Sequence, residues 1–212
     1  MKLALTTAAA LFAASSTFGA AIPLTNAGLE TNSGGQFSSL DDWSPNGAWG
    51  LHSGFANAGY TASMGDNFGF YAAGTEYVLQ ETGVTITAGT NYSVNLGAVT
   101  GGGNDTGTVA YVLAYVNAGA DLSDGIDIGE FTVFASAAQV VGDPWVAGTG
   151  VTSTASGAAI GQELLVGLGS ATEGGDNDIW FDNFSADATP VPEPGSLALV
   201  GLGGLALLRR RR

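Results

Sequence analysis

The sequence predicts an all-β fold, a β-sandwich, on three observations. Short runs of β-branched and aromatic residues recur through residues 22–190. Clusters of Gly, Asn and Asp separate them at roughly 8- to 12-residue intervals, the rhythm of a sandwich. No internal stretch of about 12 residues or more holds a 3.6-residue apolar period, so no amphipathic helix is expected. The 34 glycines give a low-complexity look, but the recurring aromatic and β-branched residues argue for a packed core rather than disorder.

The elements follow in order. Residues 22–31 read as a first strand. Residues 40–52 place Trp43 and Trp49 around a turn at Pro45-Asn46-Gly47. FGFYAA at 68–73 is an aromatic strand. EYVLQ at 76–80 runs on into 84–87 and a turn at Ala88-Gly89-Thr90. Residues 91–99 alternate, with Tyr92, Val94, Leu96 and Ala98 on one face. VAYVLAYVN at 109–117 is the most apolar strand and is expected inside a sheet. Strands at 130–135, 145–154, 163–169 and 178–186 complete a set of about nine.

Both ends differ from this body. Lys2, an apolar run over residues 3–14 and then small residues form the three-part layout of a secretory signal peptide, expected over residues 1–21 with Ala20 as the other cleavage position. The sandwich is then expected over 22–186, with 187–190 as a linker. At the far end residues 195–208 are apolar. A helix of that length covers roughly 21 Å, short of the ~30 Å hydrocarbon core, so it predicts a thin or transient transmembrane helix. Arg209, Arg210, Arg211 and Arg212 follow it and would stay cytoplasmic.

Charge excludes several functions. Apart from Lys2 and the four terminal arginines the chain has no Lys or Arg, while 18 of its 19 acids lie in residues 22–190. No nucleic-acid partner is expected, because phosphate binding needs Lys and Arg. Anionic membrane surfaces are excluded likewise, which leaves membrane contact only through the C-terminal helix before processing. The body's acids must be solvated, hydrogen-bonded or bound to cations. The chain has no Cys, so disulfides and Cys-ligated zinc are excluded.

Val191-Pro192-Glu193-Pro194, the apolar run and the Arg block together resemble a PEP-CTERM sorting signal over residues 191–212. The resemblance implies processing by an exosortase in a Gram-negative bacterium that makes extracellular polysaccharide. It implies transient anchoring in the inner membrane and then a place at the cell surface or in the extracellular matrix.

A second resemblance rests on three motifs. Asn26-Ala27-Gly28-Leu29-Glu30, Val84 to Val94 (VTITAGTNYSV) and Asp178 to Phe184 (DIWFDNF) are similar, in order and spacing, to the first, middle and last strands of galactose-binding-like jelly rolls, the fold of many carbohydrate-binding modules. Leu29 stands where that pattern usually has Phe. The resemblance implies that Glu30 and Asp182 share a structural calcium, which takes six to eight oxygen ligands; the alternative is that both are hydrogen-bonded at strand ends.

Trp43 and Trp49 lie near Asp41, Asp42, Asn46 and His52. An indole face beside polar groups suits a sugar ring, so Trp43, Trp49 and His52 form a candidate carbohydrate platform; the alternative is that both indoles are core. Trp180, in an alternating strand, is expected in the core. The acids of residues 121–130 read as a solvated loop. A single His, no Cys and no G-x-S-x-G leave catalysis only to carboxylates. The expectation is an exported, non-catalytic module that binds polysaccharide or mediates adhesion. The alternatives are a purely structural matrix protein and, last, a glycoside hydrolase.

Overall fold

The structure, a computed structural model, describes residues 19–31, 42–46, 49–53, 65, 67–71, 77–101, 106–174 and 179–191. Eleven strands appear among them: β1 (Ala20–Ile22), β2 (Ser44–Asn46), β3 (Trp49–Ser53), β4 (Asn67–Tyr71), β5 (Tyr77–Thr85), β6 (Thr90–Gly101), β7 (Thr106–Val116), β8 (Phe131–Val141), β9 (Val151–Thr154), β10 (Glu163–Gly174) and β11 (Ile179–Pro190). They form two antiparallel sheets. The first runs β3-β4-β11-β6-β9, with β1 also on β11; the second runs β2-β5-β10-β7-β8. The only helical turn described is a 3-10 turn at Gly157–Ala159. No described helix is long and apolar enough to cross a membrane.

The core lies between the sheets. Val109, Tyr111 and Leu113 of β7 face it, as do Leu164, Val166 and Leu168 of β10 and Tyr92, Val94 and Leu96 of β6. This is period-2 alternation, with every second residue facing the inter-sheet core. The Tyr111 hydroxyl donates to Gln139 Oε1 at 2.6 Å. Burial pushes its pKa up to about 12.

One departure from alternation matters for the outer surface. Along β6 the inward set steps from Leu96 to Val99, and along β11 from Phe181 to Phe184. Ala98, expected to share a face with Leu96, is therefore not in the inter-sheet core. The step falls where Asn183 adopts a left-handed φ of 59°. Gly97 faces it, and a Cβ there would lie 2.7 Å from Asn183 Nδ2. Only glycine permits that approach.

Several boundaries differ from the sequence reading. The sheet begins at Ala20, inside the expected leader, with Ala20, Ala21 and Ile22 opposite Ala188, Asp187 and Ala186. The expected linker at 187–190 is strand, because β11 stays paired with β6 as far as Pro190 opposite Thr90. Proline ends the ladder there, having no N–H to donate. The expected first strand stops at Ile22. Pro23 removes a donor, and residues 25–28 turn so that Leu29, at φ 57°, is buried completely. Gln80 holds this turn by accepting from Thr25 N–H at 3.0 Å and donating to Thr25 O at 2.8 Å. Pro45 and Asn46 are not a turn but part of β2, opposite Val78 and Tyr77, a sheet-edge position that proline tolerates. The expected signal peptide through Phe18 and the expected transmembrane helix lie outside the described residues.

Candidate ligand-binding face

Each sheet has an outer face, and the two are built differently. On the second sheet, Leu79, Val112, Ala114 and Leu165 are buried on the side away from the core, with Ile126 from the β7–β8 connection among them. Leu122, Tyr77 and Phe131 pack around this satellite cluster. Tyr77 and Phe131 meet edge to face, with centroids 4.8 Å apart. The chain thus caps this face with its own loop. At its margin lies Glu81, opposite Leu165. Burial and then the neighbouring Glu163 raise its pKa.

The outer face of the first sheet carries aromatic rings and buried polar groups together. Phe68 of β4 lies 5.1 Å from Trp180 of β11 and 5.8 Å, edge on, from Trp145. Phe68 is only 1% exposed although it points away from the inter-sheet core. Trp145 is placed by the segment after β8, where Val146 and Val99 exchange backbone hydrogen bonds of 2.9 Å each. Thr100 Oγ1 donates to Gly142 O at 3.1 Å and anchors the same segment. Thr100 and Asp182 are both 0% exposed. Phe181 pairs with Gly69 and Trp180 with Phe70, so Asp182 falls opposite Phe68 one step further along. The Trp145 indole N–H is buried and has no hydrogen-bond partner among the described residues. Burying such a donor unpaired costs about 1–3 kcal/mol, which a ligand oxygen would recover.

Of the three residues of the sequence-predicted platform, only Trp43 has a described side chain. Trp43 is 4% exposed and stacks on Phe184 at 4.1 Å, so it belongs to the inter-sheet core and cannot present a face to a sugar. Its indole N–H also lacks a described partner. Trp49 and His52 lie on β3, with backbones opposite Tyr71 and Phe68; their side chains fall outside the described part. β3 therefore borders the aromatic cluster, whereas Trp43 lies beneath it. Trp180, expected in the core, lies half-buried on the outer face. Its alternation with Ile179 and Phe181 in IWF carried that signal. Nothing in the local sequence marks Trp145 or Phe68 as its neighbours.

Glu30 and Asp182 converge on one region. Glu30 accepts from Asn67 N–H at 3.4 Å, and its carbonyl accepts from Asn67 Nδ2 at 3.1 Å; Asn67 is on β4, beside β11. However, no group of three His, Asp or Glu side chains comes together among the described residues. A calcium shared by Glu30 and Asp182 would take its remaining oxygens from backbone carbonyls, side-chain amides or water. The acids at 121–130 form a turn-rich connection in which Asp121 accepts from Ser123 N–H and Glu130 from Asp127 N–H.

Val191 is exposed, and its N–H donates to Gly89 O at 2.7 Å. Pro192, Glu193, Pro194 and Arg209 to Arg212 lie outside the described residues. Residues 190–212 match the family described as the PEP-CTERM protein-sorting motif, which marks an exported protein with a C-terminal sorting signal. No curated protein sequence matches the chain. Among solved structures it is similar to a cyclase from Fischerella sp. TAU, at 18% identity over 82% of this chain and 100% of that one, with a TM-score of 0.61. It is similar to the CBM22-1 xylan-binding domain from Paenibacillus barcinonensis Xyn10C, at 14% identity over 84% and 100%, with a TM-score of 0.51. The tandem CBM22-1-CBM22-2 domain of the same enzyme gives 15% identity over 86% and 49%, with a TM-score of 0.52. At these identities the likeness establishes the β-sandwich of carbohydrate-binding modules as the fold, and that fold hosts many functions.

Proposed function

We propose that this exported protein is a non-catalytic module that binds polysaccharide on the outer face of the first sheet and acts at the cell surface or in the extracellular matrix of a Gram-negative bacterium, after an exosortase has handled its tail. One observation carries the reading: the Phe68, Trp145 and Trp180 rings gather beside a buried carboxylate and an unpaired indole N–H. The half-buried Trp145 and Trp180 rings would pack on the C–H faces of a sugar, with buried Phe68 supporting them. The Trp145 N–H would donate to a hydroxyl oxygen, and Asp182, fully buried, would act by holding the rings in place. Such a face needs no cation, and residues 22–190 have no Lys or Arg to offer. The non-catalytic reading rests on the sequence, which has one His, no Cys and no G-x-S-x-G.

A glycan array with the exported protein tests the proposal. Binding to a defined polysaccharide is expected, lost in Trp145→Phe and weakened at least tenfold in Asp182→Asn, while the variants keep the parent's circular dichroism. Undiminished binding by both variants would move the site elsewhere, with Trp49 and His52 on β3 the first place to look.

A further inference from the structure

The sandwich has strands of very different length at its sheet edges. On the first sheet the edge strands β3 and β9 have five and four residues. On the second, β2 has three and β8 has 11. Short edges are one way proteins prevent sheets from adding to each other; Lys, Pro and strong twisting are others. β8, FTVFASAAQVV, has none of the residue-based protections: no charge and no proline. Its register with β7 shifts once, opposite Leu113 and Ala114, and then stays regular through Val141. Among the described residues β8 pairs only with β7, and no other backbone hydrogen bond reaches Phe131–Val141. Gln139 turns its side chain inward to Ala147 and Thr149, which draws the following segment toward β6 rather than along this edge.

From this we infer that β8 is a self-association edge, pairing antiparallel with β8 of a second copy to join two five-stranded sheets into one. The choice of partner follows from charge and location. A two-fold antiparallel pairing brings the same backbone edge to itself, so it needs no second complementary sequence. The body carries about 18 negative charges, and copies repel one another over most of their surface. The neutral 11-residue line of β8 is where two copies approach at least cost. The sorting signal at 190–212 delivers every copy to the same destination, so a second copy is the partner most concentrated there. Glu130 and Asp143 flank the strand at its two ends. In a pairing centred on Ser136 they come near each other across the two-fold without falling directly opposite, so their like charges repel and the association strengthens as salt screens them.

The chain has no cysteine, which permits a direct test on the exported protein in the producing cell. Ser136→Cys should give disulfide-linked dimers on a non-reducing gel. Ser156→Cys, on an exposed loop, sets the background. Ser136→Lys and Ser136→Glu should each weaken association of the otherwise unmodified chain at least tenfold, since either places like charges opposite each other. A partner drawn by the acidic surface would instead favour the Lys variant. Cross-linking of Ser136→Cys no higher than that of Ser156→Cys, with normal export, overturns the inference.

Discussion

The two outer faces of this sandwich differ in what they bury. The second sheet hides Leu79, Val112, Ala114 and Leu165 under Ile126 and Leu122 of its own loop, an arrangement of apolar atoms only. The first sheet packs Phe68, Trp145 and Trp180 beside Asp182, Thr100 and an indole N–H without a described partner. An apolar satellite cluster stabilises the fold with no further requirement. A face that buries polar groups loses part of that gain, and such departures concentrate where a protein meets a ligand. The difference is the ground on which the proposed site is placed on the first sheet.

Three substitutions sharpen or break the comparison. The largest expected effect is Leu165→Ala. Its side chain is 0% exposed on the capped face, so truncation should destabilise by about 2–5 kcal/mol in urea denaturation while leaving polysaccharide binding intact at temperatures well below the melt. Binding lost in parallel with stability would mean that the capped face belongs to the site.

Trp145→Phe should do the reverse. It removes the unpaired N–H, whose burial costs about 1–3 kcal/mol, and gives back part of the indole's packing. The melting temperature should stay level or rise as binding disappears. A drop of several degrees would show that Trp145 is chiefly structural.

The smallest effect concerns Glu81 at the rim of the capped face. Its folded pKa is raised, by burial and then by Glu163, so the folded state holds its proton to higher pH than the unfolded chain. Its contribution therefore favours folding at low pH and fades as pH rises from the ordinary carboxylate value through the raised one. Glu81→Gln should stabilise slightly at neutral pH, by no more than a few tenths of a kcal/mol at this exposed position. The gain should vanish in acid. A stabilisation that persists below pH ~4 would assign the effect to packing instead of charge.

Sequence alone was sufficient for the class of fold, because period-2 alternation and Gly-rich punctuation are local and survive without knowledge of partners. It was sufficient for the tail, where Pro-Glu-Pro, an apolar run and four arginines stand in order. It did not decide which tryptophan belongs to which layer. Alternation separates the two sides of a strand but says nothing of what covers each side. Trp43 enters the core because Phe184 receives it, and Phe184 faces inward because β11 steps at Asn183 against Gly97. The aromatic face joins residues 68, 145 and 180, brought together by sheet order. The open edge of β8 is likewise a consequence of which strand ends the second sheet. Both are decided by pairings between distant segments, whose free energy lies in burial shared by two strands and is written in neither one alone.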